Sequence, residues 1–454
     1  MRKEYIQQKG YKIIEMWECK WWELYRTDAT VKSHLRANFP YQRTLSEERL
    51  MQEIRSGRLF GYVQCDLKVP QHLKSYFANF PPIFKNTVVS RNDIGDLMKE
   101  YAEKEGIMSQ PRRMLISSFH LKNGTIITPL LLYYLHLGLE CTKIHQFVQY
   151  TPKKCFNSFV QTAVNARRQG DENPNSSVVA ETMKLLANSS YGYQIMDRSR
   201  HTVTKYLNDE KTHSAINSKL FKRLNFINDQ LYEVELVKSE IEHREPIIVG
   251  FFILQYAKLR MLELYYNFFK KFCDTEKYEE LEMDTDSLYL ALSEENLEDI
   301  ILPEKRNEWE AIRSRDCTDS FTANATGNFF PRTCCTAHKK HDKREPGLFK
   351  EEFRCSEMLC LCSKTYCCYD RESNKYKFSS KGLNKRTLED CGDGPMSKYR
   401  KVLEEAVNVT STNRGFRTIK HSVATYEQTK KGLSYFYPKR VVEEDGIHTK
   451  PLDL

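Results

Sequence analysis

Hydrophobic and polar positions follow two different periods along this chain, and together they predict a mixed α+β fold. Apolar residues flank the polar stretch Asp284-Thr285-Asp286-Ser287 on both sides, which predicts two strands joined by a tight turn. Residues 155–168 and 177–190 are predicted as two helices joined by a polar turn. Residues 250–273 form a long aromatic-rich run, which predicts a core helix beneath the strand pair, with Leu281 at the start of the next strand.

A second group of elements is predicted upstream of the helix pair. Residues 114–119 and 124–128 are predicted as a hairpin that turns at Lys122-Asn123-Gly124, because Asn-Gly favours positive φ. The apolar stretch 129–139 is too short to cross a bilayer, which needs about 20 residues. It is therefore predicted as a buried helix, and a strand is predicted at 142–148.

The polar turn of the strand pair carries two acids, Asp284 and Asp286. Carboxylates fixed on one hairpin can hold divalent metal, and enzymes of phosphoryl transfer use two such ions roughly 3.5–4 Å apart to bear the attacking and leaving oxygens. This pattern predicts a metal-binding catalytic turn. The alternative is a solvated turn, which aspartate favours through local hydrogen bonds.

The second predicted helix presents a further set of functional residue types. Lys184, Asn188 and Tyr191 stand at i, i+4 and i+7, so one helical face offers a cation, an amide and an aromatic ring, and Gly192 follows. A cation beside a triphosphate, a ring against a sugar and a glycine that permits close backbone approach suit nucleotide addition. The alternative is an ordinary amphipathic helix that ends at a glycine.

The pattern KxxxNSxYG at 184–192, followed about 90 residues later by DTDS, resembles the B and C motifs of family B DNA polymerases. The flanking sequence is most similar to the protein-primed branch found in Polinton (Maverick) transposons, viruses and linear plasmids. The resemblance implies a right-hand polymerase that has a DNA template-primer and dNTPs as partners. It also implies a terminal protein as primer and no association with a membrane. It implies Mg²⁺ or Mn²⁺ held by Asp284 and Asp286, and nucleotide binding by Lys184, Asn188, Tyr191, Gly192 and Arg167.

The resemblance extends downstream and covers about residues 58–400. Residues 346–352 and Lys364-Thr365-Tyr366 resemble the strands that follow motif C, and the latter matches the family's KxY motif, so Lys364 and Tyr366 are implied to hold the primer. Lys381-Gly382 resembles a basic turn that leads toward the thumb. Residues 294–345 are charged and are predicted to be an irregular insertion.

One family feature has no counterpart in this sequence. Family B enzymes carry motif A, an aspartate strand that ends in SLYP, upstream of motif B, and the nearest candidate is Asp66. The chain is therefore expected to correspond to the carboxy-terminal portion of a family member, without exonuclease or motif A. Two functions stay open: a DNA-directed DNA polymerase that replicates a mobile or viral-type element, or a catalytically incomplete remnant that binds DNA or dNTP without extension.

The amino-terminal segment has a different character. A helix is predicted at 47–58, and the segment before it resembles the final strand of restriction-endonuclease-like modules, in which Glu15, Glu18 and Lys20 are the counterparts of a nuclease ExK pattern. The predicted division of the chain is 1–57 (restriction-endonuclease-like remnant or insertion), 58–150 (palm), 151–200 (fingers), 201–380 (palm with the catalytic hairpin and an insertion) and 381–454 (thumb-like).

Composition adds two points. The net charge is +9, and basic runs with interleaved tyrosines in the last third suit contacts to nucleic acid, although each run is also typical of a solvated surface. The fourteen cysteines without an apolar leader predict reduced thiols in an intracellular, reducing compartment. Two sets offer zinc-ligand types without paired CxxC spacing. They are Cys334, Cys335, His338 and His341, and Cys360, Cys362, Cys367 and Cys368.

Overall fold

The computed structural model describes residues 46–242, 245–313, 329–381, 383, 394–419 and 422–454. The chain divides into two compact units, residues 1–59 and 60–454. In the first unit, the described residues form helix α1, which Ser46 caps by accepting a hydrogen bond from the Arg49 backbone N–H at 3.3 Å. The nuclease-like residues Glu15, Glu18 and Lys20 lie outside the described residues.

The described residues form both helices and strands, as the sequence predicts. The helices are α1 Glu47–Arg55, α2 Asp96–Lys104, α3 Thr128–His136, α4 Asn157–Glu172, α5 Ser177–Gln194, α6 Asp209–Ile216, α7 Ile247–Leu264, α8 Arg306–Arg313, α9 Thr336–Asp342 and α10 Gly394–Glu405. The strands are β1 Gly61–Lys68, β2 Ile83–Val89, β3 Arg112–Ser118, β4 His120–Ile127, β5 Glu140–Gln149, β6 Thr202–Leu207, β7 Phe221–Asn228, β8 Leu231–Val237, β9 Tyr278–Asp284, β10 Ser287–Leu292, β11 Glu357–Cys362, β12 Thr365–Asp370, β13 Lys375–Ser379, β14 Val409–Ile419, β15 Ser422–Leu433, β16 Arg440–Val442 and β17 Thr449–Pro451.

The second unit begins with an antiparallel sheet of order β4-β1-β5. Strand β1 alternates buried and half-buried residues, which is the pattern of a strand with one face in the core. Helix α3 buries Leu130, Leu131 and Tyr134, and the Tyr134 hydroxyl donates to the Pro82 carbonyl at 2.6 Å. The predicted buried helix and the strand that follows it are confirmed. No helix of the described residues is long and apolar enough to cross a membrane.

The predicted hairpin over 114–128 is wrong. Strand β3 pairs with β2, and β4 pairs with β1, so the two adjacent segments belong to different sheets. Asn123 has φ +53°, but its backbone N–H donates to the Asp66 carboxylate at 2.6 Å and does not close a turn between β3 and β4. Asn123-Gly124 instead lies at an irregularity within β4. The local hairpin does not form because β3 and β4 make their backbone hydrogen bonds with β2 and β1.

Helices α4 and α5 form a helical pair joined by a short turn, as predicted; α4 begins at Asn157, later than predicted, and both helices end beyond their predicted carboxyl ends. Their close approach depends on Gly170, where an added Cβ would lie 2.4 Å from the Ala180 Cβ. Gly250 of α7 likewise permits a close approach at the carboxyl end of α5, because a Cβ there would lie 2.3 Å from Ile195 Cγ2. Small residues therefore set how the helical pair packs internally and how the end of α5 meets α7.

The aromatic run after Gly250 is core in its carboxyl-terminal part, as predicted, whereas Tyr256 in its first half is 43% exposed. Helix α7 continues through a π-helical turn, Tyr265–Phe269, and a last turn, Lys270–Phe272. Tyr265 stacks on Phe80 with ring centroids 4.3 Å apart. Phe269 contacts Tyr278 at 5.5 Å, and this contact packs the end of the helix against β9. That strand begins at Tyr278, three residues before the predicted start at Leu281.

The segments after β10 differ in part from the prediction. Residues 294–345 were expected to be irregular, but their described part contains α8 and α9. Residues 346–352 were expected to form a strand, and they form none. The strands that follow β10 are instead β11, β12 and β13, which form one antiparallel sheet covered by α10.

Residues near the carboxyl end return to the first part of the second unit. Val442 and Leu452 lie in one core cluster with buried residues of α2 and β3, including Met98 and Ile116. The Arg440 guanidinium donates to the Ala78 carbonyl at 2.9 Å. These contacts join residues far apart in the sequence.

Candidate functional site

The acids of the polar turn lie on a hairpin formed by β9 and β10, here called the aspartate hairpin. Asp284 pairs with Ser287, so Thr285 and Asp286 form the two-residue connection. The Asp286 backbone N–H donates to the Asp284 carbonyl at 2.6 Å, and Thr285 has φ +56°. A hydrogen bond from i+2 to i around a residue with positive φ forms a γ-turn of the rare, strained kind, and a β-branched residue is costly there.

Strain of this kind persists only where the surroundings enforce it, and it concentrates at functional sites. Two side-chain hydrogen bonds support the turn: Thr285 Oγ1 donates to Asp284 Oδ1 at 3.1 Å, and Ser287 Oγ donates to the Asp284 carbonyl at 3.2 Å. The Asp286 side chain is exposed, and that of Asp284 is 26% exposed. Both carboxylates are therefore accessible to a ligand in water.

A second hairpin, β11–β12, meets the aspartate hairpin through its connection Ser363-Lys364, here called the lysine loop. Lys364 has φ +65°, and its backbone N–H donates to Glu282 Oε1 at 2.6 Å. Its ammonium lies 2.9 Å from Asp284 Oδ1. Ser379 Oγ donates to the Lys364 carbonyl at 3.0 Å. The lysine loop is thus held from both sides with its cation against the acid of the turn.

A pair of tyrosines forms a further contact between the two hairpins. The Tyr289 hydroxyl on β10 donates to the Tyr366 hydroxyl on β12 at 2.8 Å, and the ring centroids are 4.9 Å apart. Burial, followed by the hydrogen bond to Tyr289, raises the pKa of Tyr366. Both hydroxyls therefore stay protonated at neutral pH and can each donate a hydrogen bond.

Glu282 is the acid that sequence reasoning missed. It lies two residues before Asp284 and so points to the same face of β9. Burial, with a smaller contribution from the Asp284 charge, raises the pKa of Glu282, while the Lys364 N–H opposes this shift. Its Oε2 is buried without a hydrogen-bond partner among the described residues. The period-two spacing from Asp284 is the signal that predicts its place.

The donor set of the aspartate hairpin suits a hard divalent cation, because Mg²⁺ prefers oxygen ligands and takes one or two carboxylates together with substrate phosphates and water. Among the described residues, no third acid lies close enough to Asp284 and Asp286 to complete a group of three ligands. Within the described ranges, no group of three or more Cys, His, Asp or Glu ligand atoms lying within 4.8 Å of one another includes Asp284 or Asp286.

Asp66, the nearest motif A candidate, is engaged elsewhere. Its Oδ1 accepts from the Asn123 N–H at 2.6 Å and lies 2.8 Å from His145 Nε2. The Asn123 N–H, followed by His145, lowers the pKa of the Asp66 carboxyl. These contacts join β1, β4 and β5, and they account for the acid as a structural residue of the first sheet.

The nucleotide-binding residues expected on α5 lie on one helix, as predicted. Lys184, Asn188 and Gly192 are exposed, Tyr191 is half-buried, and an added Cβ at Gly192 would meet nothing within 4 Å. In the described part of the chain, no hydrogen bond or ion pair connects this face to the aspartate hairpin. The structure thus groups these residues on one helix, α5.

The opposite side of α5 is not the buried face of an ordinary amphipathic helix. Val179 and Leu186 are 53% and 47% exposed, and α5 has no fully buried residue. Both long sides of the helix therefore face solvent over much of their length. This exposure disfavours the alternative in which α5 is an ordinary amphipathic helix that ends at a glycine.

The two adjacent arginines of α4 have different surroundings. Arg168 donates to the His341 carbonyl at 3.1 Å and to Glu345 at 2.9 Å, so it has a structural role. Arg167 is half-buried and forms no hydrogen bond or ion pair with another described residue. Lys381 is exposed just after β13. Of the arginine pair, only Arg167 is available for an anionic ligand.

Comparison with known proteins gives one family. The family model of DNA polymerase type B, organellar and viral, matches residues 33–270, which is more than half of the chain and includes all of α4 and α5. No curated protein and no solved structure matches the chain. The match confirms the family-level resemblance seen in the sequence, and the chain therefore belongs to the organellar and viral type B DNA polymerases.

Proposed function

We propose that this chain catalyses template-directed nucleotidyl transfer onto a DNA primer, with dNTPs as substrates and Mg²⁺ or Mn²⁺ as cofactor. The observation that carries the proposal is the contact between Lys364 and Asp284, which joins two sequence motifs 80 residues apart at one place. A metal-holding acid and a primer-holding cation must be neighbours in such a reaction, because the primer end attacks the phosphate that the metal binds.

Each site residue has a proposed role. Asp284 and Asp286 hold a divalent cation, which when bound would offset the negative charge of the phosphates. Lys364 and Tyr366 hold the primer end, Lys364 through its ammonium and Tyr366 through its buried ring and hydroxyl. Lys381 contacts the DNA backbone as an exposed cation.

On the helical pair, the proposed roles concern the incoming nucleotide. Lys184 and Arg167 neutralise the triphosphate, because both are cations that have no acidic partner among the described residues. Tyr191 packs on the sugar, and Asn188 supplies an amide on the same face. Gly192 leaves open space for close approach of the nucleotide.

The proposed layout is a right-hand polymerase. Residues 58–150 and 201–380 form the palm, 151–200 the fingers and 381–454 a thumb-like part, with 1–57 as a nuclease-like remnant. The proposed biological setting is replication of a mobile or viral-type element of the Polinton kind from a terminal protein primer.

A second candidate is a protein that binds DNA or dNTP without extending the primer. One observation favours it: among the described residues, no third acid joins Asp284 and Asp286. A site with two carboxylates can hold one Mg²⁺ with substrate phosphates, whereas two bridged ions call for a further ligand.

Primer extension by the purified chain separates the two candidates. The protein is given a primed template, dNTPs and Mg²⁺ or Mn²⁺, and DNA binding is measured on the same samples. Extension that is lost in Asp286→Ala, with DNA binding retained, supports the polymerase. Binding without extension in the unsubstituted chain supports the binding protein. Extension that persists in Asp286→Ala contradicts the proposed site.

A further inference from the structure

A cluster of sulfur and nitrogen ligand atoms lies apart from the aspartate hairpin. The Sγ atoms of Cys334 and Cys335 and a ring nitrogen of His338 all lie within 4.8 Å of one another. Cys334 Sγ is 3.2 Å from His338 Nδ1. Cys334 is exposed, and the other two residues are half-buried, so an ion can reach the cluster from solvent.

The local backbone brings these three side chains together. Cys335 is the residue that caps α9, with extended φ and ψ of −156° and 163°, and its Sγ accepts the His338 backbone N–H at 3.4 Å. His338 is the third residue of the helix, so its ring lies beside the cap. Cys334 directly precedes the cap and completes the group. The arrangement therefore follows from the Cys-Cys-x-x-His spacing at a helix start.

We propose that Cys334, Cys335 and His338 bind Zn²⁺, with water or another small ligand in the fourth position. Two thiolates and an imidazole are the ligands that Zn²⁺ takes in proteins, commonly with tetrahedral geometry. Mg²⁺ prefers oxygen and does not compete for such a set. The chain would therefore carry two sites of opposite ligand class, one with oxygen ligands and one with sulfur and nitrogen ligands.

His341, the fourth member of the set seen in the sequence, is not a ligand in this proposal. Its Nδ1 lies 3.1 Å from Asp342 Oδ1 and 3.4 Å from the Arg168 guanidinium. The second set of zinc-ligand types in the sequence, Cys360, Cys362, Cys367 and Cys368, is not part of this proposal either. Two of its four cysteines lie on β11 and two are adjacent on β12, and they include no group of three ligand atoms within 4.8 Å of one another.

The far end of α9 suggests what the ion would stabilise. Asp342 is buried, and it accepts two hydrogen bonds of 2.8 Å from the Arg332 guanidinium. Just beyond it, Arg344 and Lys343 both contact Asp171 near the end of α4. A seven-residue helix is marginal by itself. An ion bound at its start would fix α9, and through α9 the end of α4 that carries Arg167.

Metal titration tests the proposal without any measurement of DNA synthesis, so its failure is distinguishable from failure of the proposed function. The full chain, reduced and stripped of metal, is titrated with Co²⁺ as a spectroscopic substitute, and then with Zn²⁺ against a chromophoric chelator. We expect one ion per chain, a thiolate-to-Co²⁺ charge-transfer band, and displacement of Co²⁺ by Zn²⁺. Absence of that band in the unsubstituted chain overturns the proposal.

Substitutions assign the ligands. Cys334→Ser and His338→Asn are expected to abolish the tight site and the increase in melting temperature that Zn²⁺ gives the unsubstituted chain. Cys155→Ser, which removes an exposed cysteine elsewhere, is the matched control and is expected to bind as the unsubstituted chain does. Circular dichroism verifies that each variant is folded. If folded Cys334→Ser retains the charge-transfer band at full intensity, other cysteines bind the ion and the proposal is wrong.

Discussion

The Lys364 ammonium lies 2.9 Å from Asp284 Oδ1, while the backbone N–H of the same lysine donates to Glu282 at 2.6 Å. One residue of the lysine loop therefore contacts two acids that lie on the same face of β9. The backbone hydrogen bond fixes the loop, and this leaves the ammonium free to exchange between Asp284 and an incoming anion. In the proposed reaction, a cation held in this way can follow charge as it moves during phosphoryl transfer.

Lys364→Ala is expected to lower primer extension by about 10- to 100-fold, because it removes the cation proposed to hold the primer end beside the reacting phosphates. The fold should be preserved, since half of the side chain is exposed. Single-turnover extension and primer affinity measure the effect. Lys375→Ala, an exposed lysine on β13, is the control, and an equal loss in both variants would contradict a specific role for Lys364.

Thr285→Gly is expected to stabilise the fold and to impair extension. The substitution relieves a β-branched residue at φ +56°, a strain of order 1 kcal/mol, although glycine also raises the entropy of the unfolded chain. It also removes the hydroxyl that donates to Asp284. Urea unfolding and extension on the same preparation test this. A destabilised variant with unchanged extension would show that the turn is not strained.

Gly170→Ala and Gly192→Ala form a matched pair on the two helices. At Gly170 the new methyl group would lie 2.4 Å from the Ala180 Cβ, and we expect destabilisation of about 1–3 kcal/mol. At Gly192 nothing lies within 4 Å, so alanine should leave stability unchanged or raise it by up to about 1 kcal/mol, yet weaken dNTP binding. Unchanged dNTP affinity in Gly192→Ala would contradict the proposed approach of the nucleotide.

The Asp171 carboxyl group is expected to make the free energy of unfolding depend on pH. Arg344, followed by Lys343, holds the pKa of this carboxyl at about 2, below its ordinary value of about 3.9. Because the folded pKa is the lower one, the stabilisation is present above about pH 4 and is lost as the pH falls toward 2. Unfolding free energies of the unsubstituted chain and of Asp171→Asn should differ most at pH 6, differ less as the pH falls below about 4, and converge as it approaches 2. A difference that does not change with pH would contradict this account.

The sequence predicts the local features of this molecule well, because they depend on nearby residues. The aspartate hairpin follows from apolar residues around a polar turn, and the α4–α5 pair follows from helical periodicity. The carboxyl-terminal part of the aromatic run after Gly250 is core, because so many rings on one segment cannot all face solvent.

Features that depend on contacts between residues far apart in the sequence cannot be predicted from local patterns. Strand β3 pairs with β2 and β4 pairs with β1, but no local sequence pattern identifies these partners. Asn123-Gly124 therefore predicts a hairpin turn that the structure does not contain. The contact of Glu282 with Lys364 depends on a backbone with φ +65° in a loop 82 residues away. The structural role of Arg168, which leaves Arg167 as the proposed ligand-binding arginine, depends on the position of Glu345, 177 residues away.

The most direct test of the central claim is single-turnover primer extension by three carboxylate variants, Asp284→Asn, Asp286→Asn and Asp66→Asn, over a range of Mg²⁺ concentrations. We expect the unsubstituted chain to extend the primer, and both hairpin variants to lose extension by about 1,000-fold or more, because each removes a ligand of the metal. Asp66→Asn should extend normally where it is folded. Loss of extension in folded Asp66→Asn, with activity retained in Asp284→Asn, would contradict the account.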